Sequence, residues 1–291
     1  MTDHIWEMYK ILIRLCKLTI AGLLVTSLLG FTDFNLEPLD KTPKPFRQNL
    51  RRYVLSQKNV PVYSYKTINR YKHNTDYFTQ GLLIDNGYIY EGTGLYGHSK
   101  LLKMDLTSGQ VIKERNLERK YFGEGIAIFN NHIHQLTLKS NIGFIYDKNS
   151  FILKKSFRYP TQGWGLTSDI KTLIMSNGSA SLFFFKPEAM EFERRVLVTD
   201  AVGKVGYLNE LEYINGDVYA NVWLTDLIAR ISPETGKITG WIDLKGINPP
   251  LLKLKRSHVL NGIAYNKKNK TIIITGKCWP WLYEIELIPM E

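Results

Sequence analysis

The chain has 291 residues, 44% hydrophobic, 12% aromatic and 22% charged, which suits one large folded domain or two small ones. Twenty-two glycines and 11 prolines exclude a collagen or a disordered chain, and two cysteines, Cys16 and Cys278, exclude a disulfide framework or a Cys-rich zinc fold. Thirty-eight Lys and Arg against 27 Asp and Glu leave +11, but the basic residues are dispersed and none of their groups interleaves with aromatics as base stacking requires, so no nucleic-acid partner is expected.

Residues 18–31 form an uncharged, mostly apolar run of 14 behind Lys10, Arg14 and Lys17. A bilayer-spanning helix needs about 20 apolar residues, and 14 behind a cationic flank is the length of a signal-peptide core. Residues 1–31 therefore read as an apolar helix outside the folded domain. They form an export signal, cleaved or kept as a membrane anchor through residues 11–31, and the expected address is periplasmic or extracellular. Residues 32–58 hold three prolines and no clean periodicity, and read as a linker or lead-in.

From residue 59 to 291 the texture changes to short runs of Tyr, Ile, Val, Phe and Leu. Turn signals such as Asn86-Gly87, Asn130-Asn131 and Asn215-Gly216 separate them, a pattern that predicts an all-β domain. One phrase recurs: Gln80-Gly81-Leu82, Glu124-Gly125-Ile126, Trp164-Gly165-Leu166, Asn209-Glu210-Leu211 and Asn261-Gly262-Ile263, with first residues 44, 40, 45 and 52 apart. A second strand follows each phrase (88–90, 132–138, 172–175, 217–223, 271–275), then a third, and in the first four units a fourth. The fifth unit runs out at Glu291, and residues 61–71 supply the strand that completes it. The pattern predicts a five-bladed β-propeller of four-stranded blades, the last closed by an N-terminal strand. A β-sandwich would not explain five matching phrases.

In a propeller the first strand of each blade lines the central channel, so Gln80, Glu124, Trp164, Asn209 and Asn261 should converge at one mouth. Strand alternation places Phe78 and Phe122 beside Gln80 and Glu124. The ends of the second strands add Leu138, Trp223 and the loop Gly276-Lys277-Cys278-Trp279. A single carboxylate among amides and large rings is the composition of a small-ligand pocket. Burial would favour neutral Glu124 and Lys277 would oppose that, with the balance open at this level. His132-x-His134 lacks a third ligand and reads as packing.

These phrases resemble the plant-type and bacterial glutaminyl cyclases, a family of five-bladed propellers. The shared residues run Phe78-Thr79-Gln80-Gly81-Leu82, Glu91-Gly92-Thr93-Gly94 with Tyr96-Gly97, Phe122-Gly123-Glu124-Gly125 and Gly163-Trp164-Gly165-Leu166-Thr167. They continue through Leu208-Asn209-Glu210-Leu211-Glu212, Tyr219-Ala220-Asn221-Val222-Trp223, Leu260-Asn261-Gly262-Ile263-Ala264 and Thr275-Gly276-Lys277. The resemblance implies cyclisation of N-terminal glutamine to pyroglutamate with loss of ammonia, not by the zinc-dependent animal type; a monomer without cofactor is expected. Its substrates are peptides or proteins beginning with glutamine. The family's catalytic glutamate falls on Glu124 and its pocket residues on Phe78, Gln80, Phe122, Trp164, Asn209, Trp223 and Lys277. Reaction chemistry, which needs donors for the amide oxygen, adds Lys277 and Asn209 to the catalytic groups, and the ring of phrase openings adds Asn261 to those that hold substrate. Leu138 stands where the family usually has a tryptophan. Two rival readings are a calcium-dependent, lactonase-like propeller hydrolase and a non-catalytic peptide-binding propeller.

Overall fold

A computed structural model describes residues 44–248 and 257–290. The apolar helix expected within residues 1–31 lies outside the described residues.

The described chain is nearly all β. Four-stranded antiparallel sheets form from β2 to β5 (Thr79–Asp85, Tyr88–Thr93, Lys100–Asp105, Val111–Asn116) and from β6 to β9 (Gly123–Phe129, His132–Thr137, Ile142–Asp147, Leu153–Arg158). A third runs from β10 to β13 (Leu166–Ser168, Leu173–Met175, Ser181–Lys186, Glu191–Leu197). A hairpin of β14 (Thr199–Asp200) and β15 (Gly203–Lys204) follows. Next come β16 to β19 (Leu208–Ile214, Asp217–Val222, Leu227–Ile231, Ile238–Asp243) and β20 to β22 (Leu260–Asn266, Thr271–Gly276, Trp281–Pro289). The strand expected at 61–71 is β1 (Val62–Lys72), and it pairs antiparallel along β22, the last strand of the chain. Two parallel pairs, Val62 with Trp241 and Tyr63 with Ile242, join β1 to β19 and merge the last two groups into one eight-stranded sheet.

Local sequence chemistry sets these hairpins. Asn86-Gly87 and Asn215-Gly216 are two-residue turns in which both residues have positive φ, at 50° and 82° and at 50° and 98°. That geometry matches strand twist and suits Asn-Gly. The first strands lie side by side in a closed circuit: β2 against β6, β6 against β10, β10 against β16, β16 against β20, and β20 back against β2. Glycine permits the close approach. A Cβ on Gly125 would collide with the backbone of Trp164 and Leu166, and one on Gly165 would collide with the Asn209 carbonyl. This arrangement of four-stranded sheets is consistent with a β-propeller.

The inner edges of the first strands would leave backbone N–H groups unpaired, and buried donors need partners. Side chains from neighbouring strands supply them. Glu210 accepts from Leu82 N–H at 3.2 Å and Ile263 N–H at 2.8 Å, and Glu212 from Tyr265 N–H at 2.9 Å. Asn221 Oδ1 accepts from Gly262 N–H at 2.9 Å, and Thr167 Oγ1 from Tyr213 N–H at 3.0 Å.

The segment expected to be a lead-in carries a helix, α1 (Lys44–Leu55). Pro45 falls in its first turn, where a helix tolerates proline because that N–H needs no intrahelical acceptor. Leu50 and Val54, one turn apart and fully buried, join a core cluster with Leu182, Val198, Ile238 and Trp241. Arg51 anchors the helix through Asp243 at 2.6 Å. A linker would not bury two aliphatic side chains in the core; the spacing Leu50, Tyr53, Val54 is the helical signal that the prolines obscure.

Candidate active site

The phrase residues that begin the repeats share a structural device. The register of β2 with β3 shifts between Thr79 and Gly81, so Gln80 is an extra residue. The same shift falls between Gly123 and Ile126 in β6, Leu208 and Leu211 in β16, and Leu260 and Ile263 in β20. Each is a β-bulge, and a bulge re-aims the side chains it carries. Gln80, Glu124, Asn209 and Asn261 all sit in these bulges. Trp164 precedes β10 at the corresponding place, its N–H on the Ser176 carbonyl at 3.0 Å. Phe78 and Phe122 stand just before β2 and β6 rather than two places along a regular strand.

A chain of amides leads to the acid. Asn261 Nδ2 donates to Gln80 Oε1 at 3.1 Å and to the Thr79 carbonyl at 2.9 Å. Gln80 Nε2 donates to Glu124 Oε1 at 2.8 Å. The other carboxylate oxygen, Glu124 Oε2, is buried without a hydrogen-bond partner. A buried acceptor left bare costs free energy on the order of 1–3 kcal/mol, which a bound donor would recover. Asn209 is buried in the β16 bulge with its carbonyl accepting from Ser176 Oγ at 2.6 Å; its side chain is not part of this chain of amides.

Two pairs of large rings belong to the segments that adjoin β6. Phe78 and Phe122 meet edge to face at 6.1 Å on the β2 side. Trp164 and Trp223 meet edge to face at 5.6 Å on the β10 side, and the Trp164 ring lies against Gly178. The link from Glu124 to the indoles is a backbone one: Gly125 N–H donates to the Trp164 carbonyl at 2.7 Å. All four rings are half-buried. Leu138 donates its N–H to the Phe122 carbonyl at 3.0 Å. Lys277 is buried, with Nζ 4.8 Å from the centre of the Phe78 ring.

Burial decides the charges here. It pushes the Glu124 carboxyl well above the ordinary carboxylate range, although the Lys277 charge and the Gln80 hydrogen bond pull the other way. Burial also brings the Lys277 ammonium down to about 8, against the attraction of Glu124. The site thus holds a carboxyl raised by burial beside an ammonium lowered by it, and shifts of this kind mark groups suited to proton transfer.

The sequence pattern assigns no role to His73 or Glu91, which form a buried pair beneath this layer. His73 Nε2 lies 3.0 Å from Glu91 Oε2, and the two side chains are 1% and 0% exposed. His73 Nδ1 lies 2.6 Å from the Trp279 carbonyl, and Glu91 Oε1 accepts from Thr79 Oγ1 at 2.7 Å. With acceptors at both ring nitrogens the imidazolium is favoured: burial pulls its pKa down, but the Glu91 charge and both hydrogen bonds outweigh that. The pair ties the loop of Lys277 to the strand of Gln80. Only its partners in space reveal it, since His73 lies outside every repeat phrase.

His132 and His134 are elsewhere, on the wall of a cavity of about 400 Å³ with Lys154, Lys155 and Pro187. His134 is buried, which lowers its pKa to about 4, with Nε2 3.3 Å from the Pro187 carbonyl. Among the described residues no three His, Cys, Asp or Glu side chains group as metal ligands.

A family model described as glutamine cyclotransferase matches residues 45–287, beginning in α1. A glutaminyl-peptide cyclotransferase of Arabidopsis thaliana is 41% identical over 226 residues, 76% of this chain and 71% of that protein. The crystal structure of Myxococcus xanthus glutaminyl cyclase superposes with a TM-score of 0.72 at 30% identity, covering 80% of this chain and 100% of that one. On the extent of these matches, the chain belongs to the glutamine cyclotransferase family.

Proposed function

We infer that the chain cyclises the N-terminal glutamine of peptides or proteins to pyroglutamate, releasing ammonia, and that Glu124 carries the proton. What supports the second part is the bare, buried Oε2 of Glu124, on a strand whose adjoining segments carry the ring pairs Phe78–Phe122 and Trp164–Trp223. Both reacting groups belong to one residue, so the pocket's first task is to hold a bent conformer with amine and amide in contact. Phe78, Phe122, Trp164 and Trp223 clasp the side chain and exclude water. The α-amine titrates at about 7.7–8.0, so a neutral fraction exists near neutral pH. An ammonium arriving near Oε2 favours the ionised carboxylate and gives its extra proton to water before the attack, so that Oε2 is free to take the next one. The neutral nitrogen attacks the side-chain amide carbon, becomes positive and gives one proton to Oε2. Glu124 passes that proton to the amide nitrogen, the carbon–nitrogen bond breaks and ammonia leaves. Gln80 commits its amide to Glu124 and Asn261, which leaves Lys277 and Asn209 to donate to the oxygen that gains charge.

Ammonia release and pyroglutamate formation from a dipeptide with N-terminal glutamine test the reading, with and without a chelator. The expected result is turnover that the chelator leaves unchanged, because the steps above run on side chains alone. Chelator-sensitive turnover would favour a metal-assisted route, and no turnover would favour a binding propeller. Lys277 adds a pH test. kcat/KM is expected to fall as pH rises through about 8, where the ammonium loses its proton. The substrate amine titrates nearby, and Lys277→Arg separates the two: a guanidinium stays charged, so the limb moves up by about one unit or more if it belongs to Lys277. An unmoved falling limb would remove Lys277 from the reaction, since the substrate amine, which reacts as the neutral nitrogen, gives a rising limb instead.

The finer architecture and address belong to the same reading. We take the sheets as five blades, supported by the closed circuit of β2, β6, β10, β16 and β20 and by the completion of the last group through β1. Residues 1–31 serve as export signal or anchor, on the strength of the apolar run 18–31 behind three cations, and place the folded domain in the periplasm or outside the cell. The domain is taken as a monomer in the same reading.

A further inference from the structure

The loop from β3 to β4, residues 94–99, covers the same end of the strand circuit as Glu124. A Cβ on Gly94 would collide with the Phe122 ring and stand 3.1 Å from the Gln80 side chain, so the loop backbone lies directly on both. Gly94 N–H donates to the Phe78 carbonyl at 2.8 Å. Leu95 then takes a φ of 82°, a left-handed conformation unfavourable for a branched side chain. Two donors hold it there: His98 N–H at 3.0 Å and Ser99 Oγ at 2.9 Å, both on the Leu95 carbonyl. Ser99 Oγ in turn accepts from Gly123 N–H at 2.9 Å, next to Glu124 in the chain. The strained turn is therefore fixed to the strand that carries the acid.

Its consequence is to hold two large side chains in water, Leu95 at 38% and Tyr96 at 53% exposed. Tyr96 is not isolated. Its ring meets Phe122 edge to face at 5.4 Å, and Phe122 meets Phe78, which lies beneath the Lys277 ammonium. A row of three rings thus runs from the buried cation to solvent, and the glutamine pocket accounts for only the inner two. A peptide whose first residue fills that pocket must leave through the mouth, and its second residue is the first part of it to reach the lip.

We propose that Tyr96, seated on Phe122 and backed by Leu95, is the subsite for the side chain of the residue after the N-terminal glutamine, selecting aromatic or large apolar second residues. The proposal rests on the cyclase reading of Glu124. Aromatic rings attract such side chains by edge and face contacts beyond simple burial, and a rigid turn presents them at little entropic cost.

The test measures ammonia release by the full chain and its Tyr96→Ala and Tyr96→Phe variants. The substrates are glutamine amide, Gln-Gly-amide and Gln-Phe-amide. The wild type is expected to prefer Gln-Phe-amide over Gln-Gly-amide. In Tyr96→Ala the ratio of kcat/KM for Gln-Phe-amide over glutamine amide is expected to fall ~5–10-fold, and in Tyr96→Phe to stay near the wild-type ratio. An unchanged ratio in Tyr96→Ala, or a wild type indifferent to the second residue, overturns the subsite while leaving the cyclase reading intact. A wild type that turns over none of the three overturns both.

Discussion

Glu124→Gln protein is expected to fold normally and to lose about 10²–10⁴-fold in kcat, the usual weight of a positioned proton carrier. The substitution keeps the shape and leaves an amide oxygen to accept from Gln80 Nε2, now 2.8 Å from Glu124 Oε1. It removes only the ability to take a proton at Oε2 and return it. KM is expected to move less than kcat, because the rings and Lys277 that hold substrate are untouched. The same variant should be more stable, with a defined pH dependence. Burial raises the Glu124 pKa well above its ordinary value, so the native state holds this proton more tightly than the unfolded chain. An acid of that kind loses stability for the fold as pH rises above its unfolded value, about 4.3. Glu124→Gln is therefore expected to melt higher than wild type at pH 8 and nearly level with it at pH 4, read by thermal denaturation at both. A variant that keeps kcat within tenfold of wild type would remove Glu124 from the reaction.

How much of this site could be read from the chain follows from what a repeat encodes. Gln80, Glu124, Trp164, Asn209 and Asn261 are legible because they occupy one place in five similar phrases, and similar phrases fold to equivalent positions. Phe78 and Phe122 precede two of those phrases by the same two positions, whereas the bulges that carry Gln80 and Glu124 are not legible. A bulge adds one residue to one strand and leaves no mark in the hydrophobic alternation, so Gln80 as an extra residue in β2 emerges only from the register with β3. Contacts between phrases are equally silent. Glu91 and His73 are 18 residues apart, and their 3.0 Å contact depends on how β3 and the end of β1 come together. The helix α1 was obscured by Pro38, Pro43 and Pro45, although Leu50 and Val54 carry a helical spacing. The balance of charge at Glu124 had to wait for burial, since no sequence states how much water reaches a carboxylate.

The largest effect on the fold itself is expected from Glu210. In the repeat its place belongs to a glycine in the other phrases, and the exception has a purpose visible in the circuit of first strands. Its two oxygens accept from Leu82 N–H of β2 and Ile263 N–H of β20, so one fully buried side chain on β16 staples two other strands. Burial, with the Glu212 charge added, raises the Glu210 pKa well above the ordinary range, while both backbone donors pull it down. Glu210→Ala would leave two buried amide groups without acceptors, at ~1–3 kcal/mol each, and a void where the side chain stood. The expected loss is about 3–6 kcal/mol, which for a domain of this size corresponds to a fall in Tm of about 10 °C or more. Glu210→Gln keeps one acceptor and is expected to lose less. Activity should fall with stability, because Asn209 precedes Glu210 and Gln80 stands two residues before Leu82, so loosening the staple moves both. An alanine variant that melts within about 2 °C of wild type would mean that water reaches those amide groups and that the circuit closes by strand packing alone.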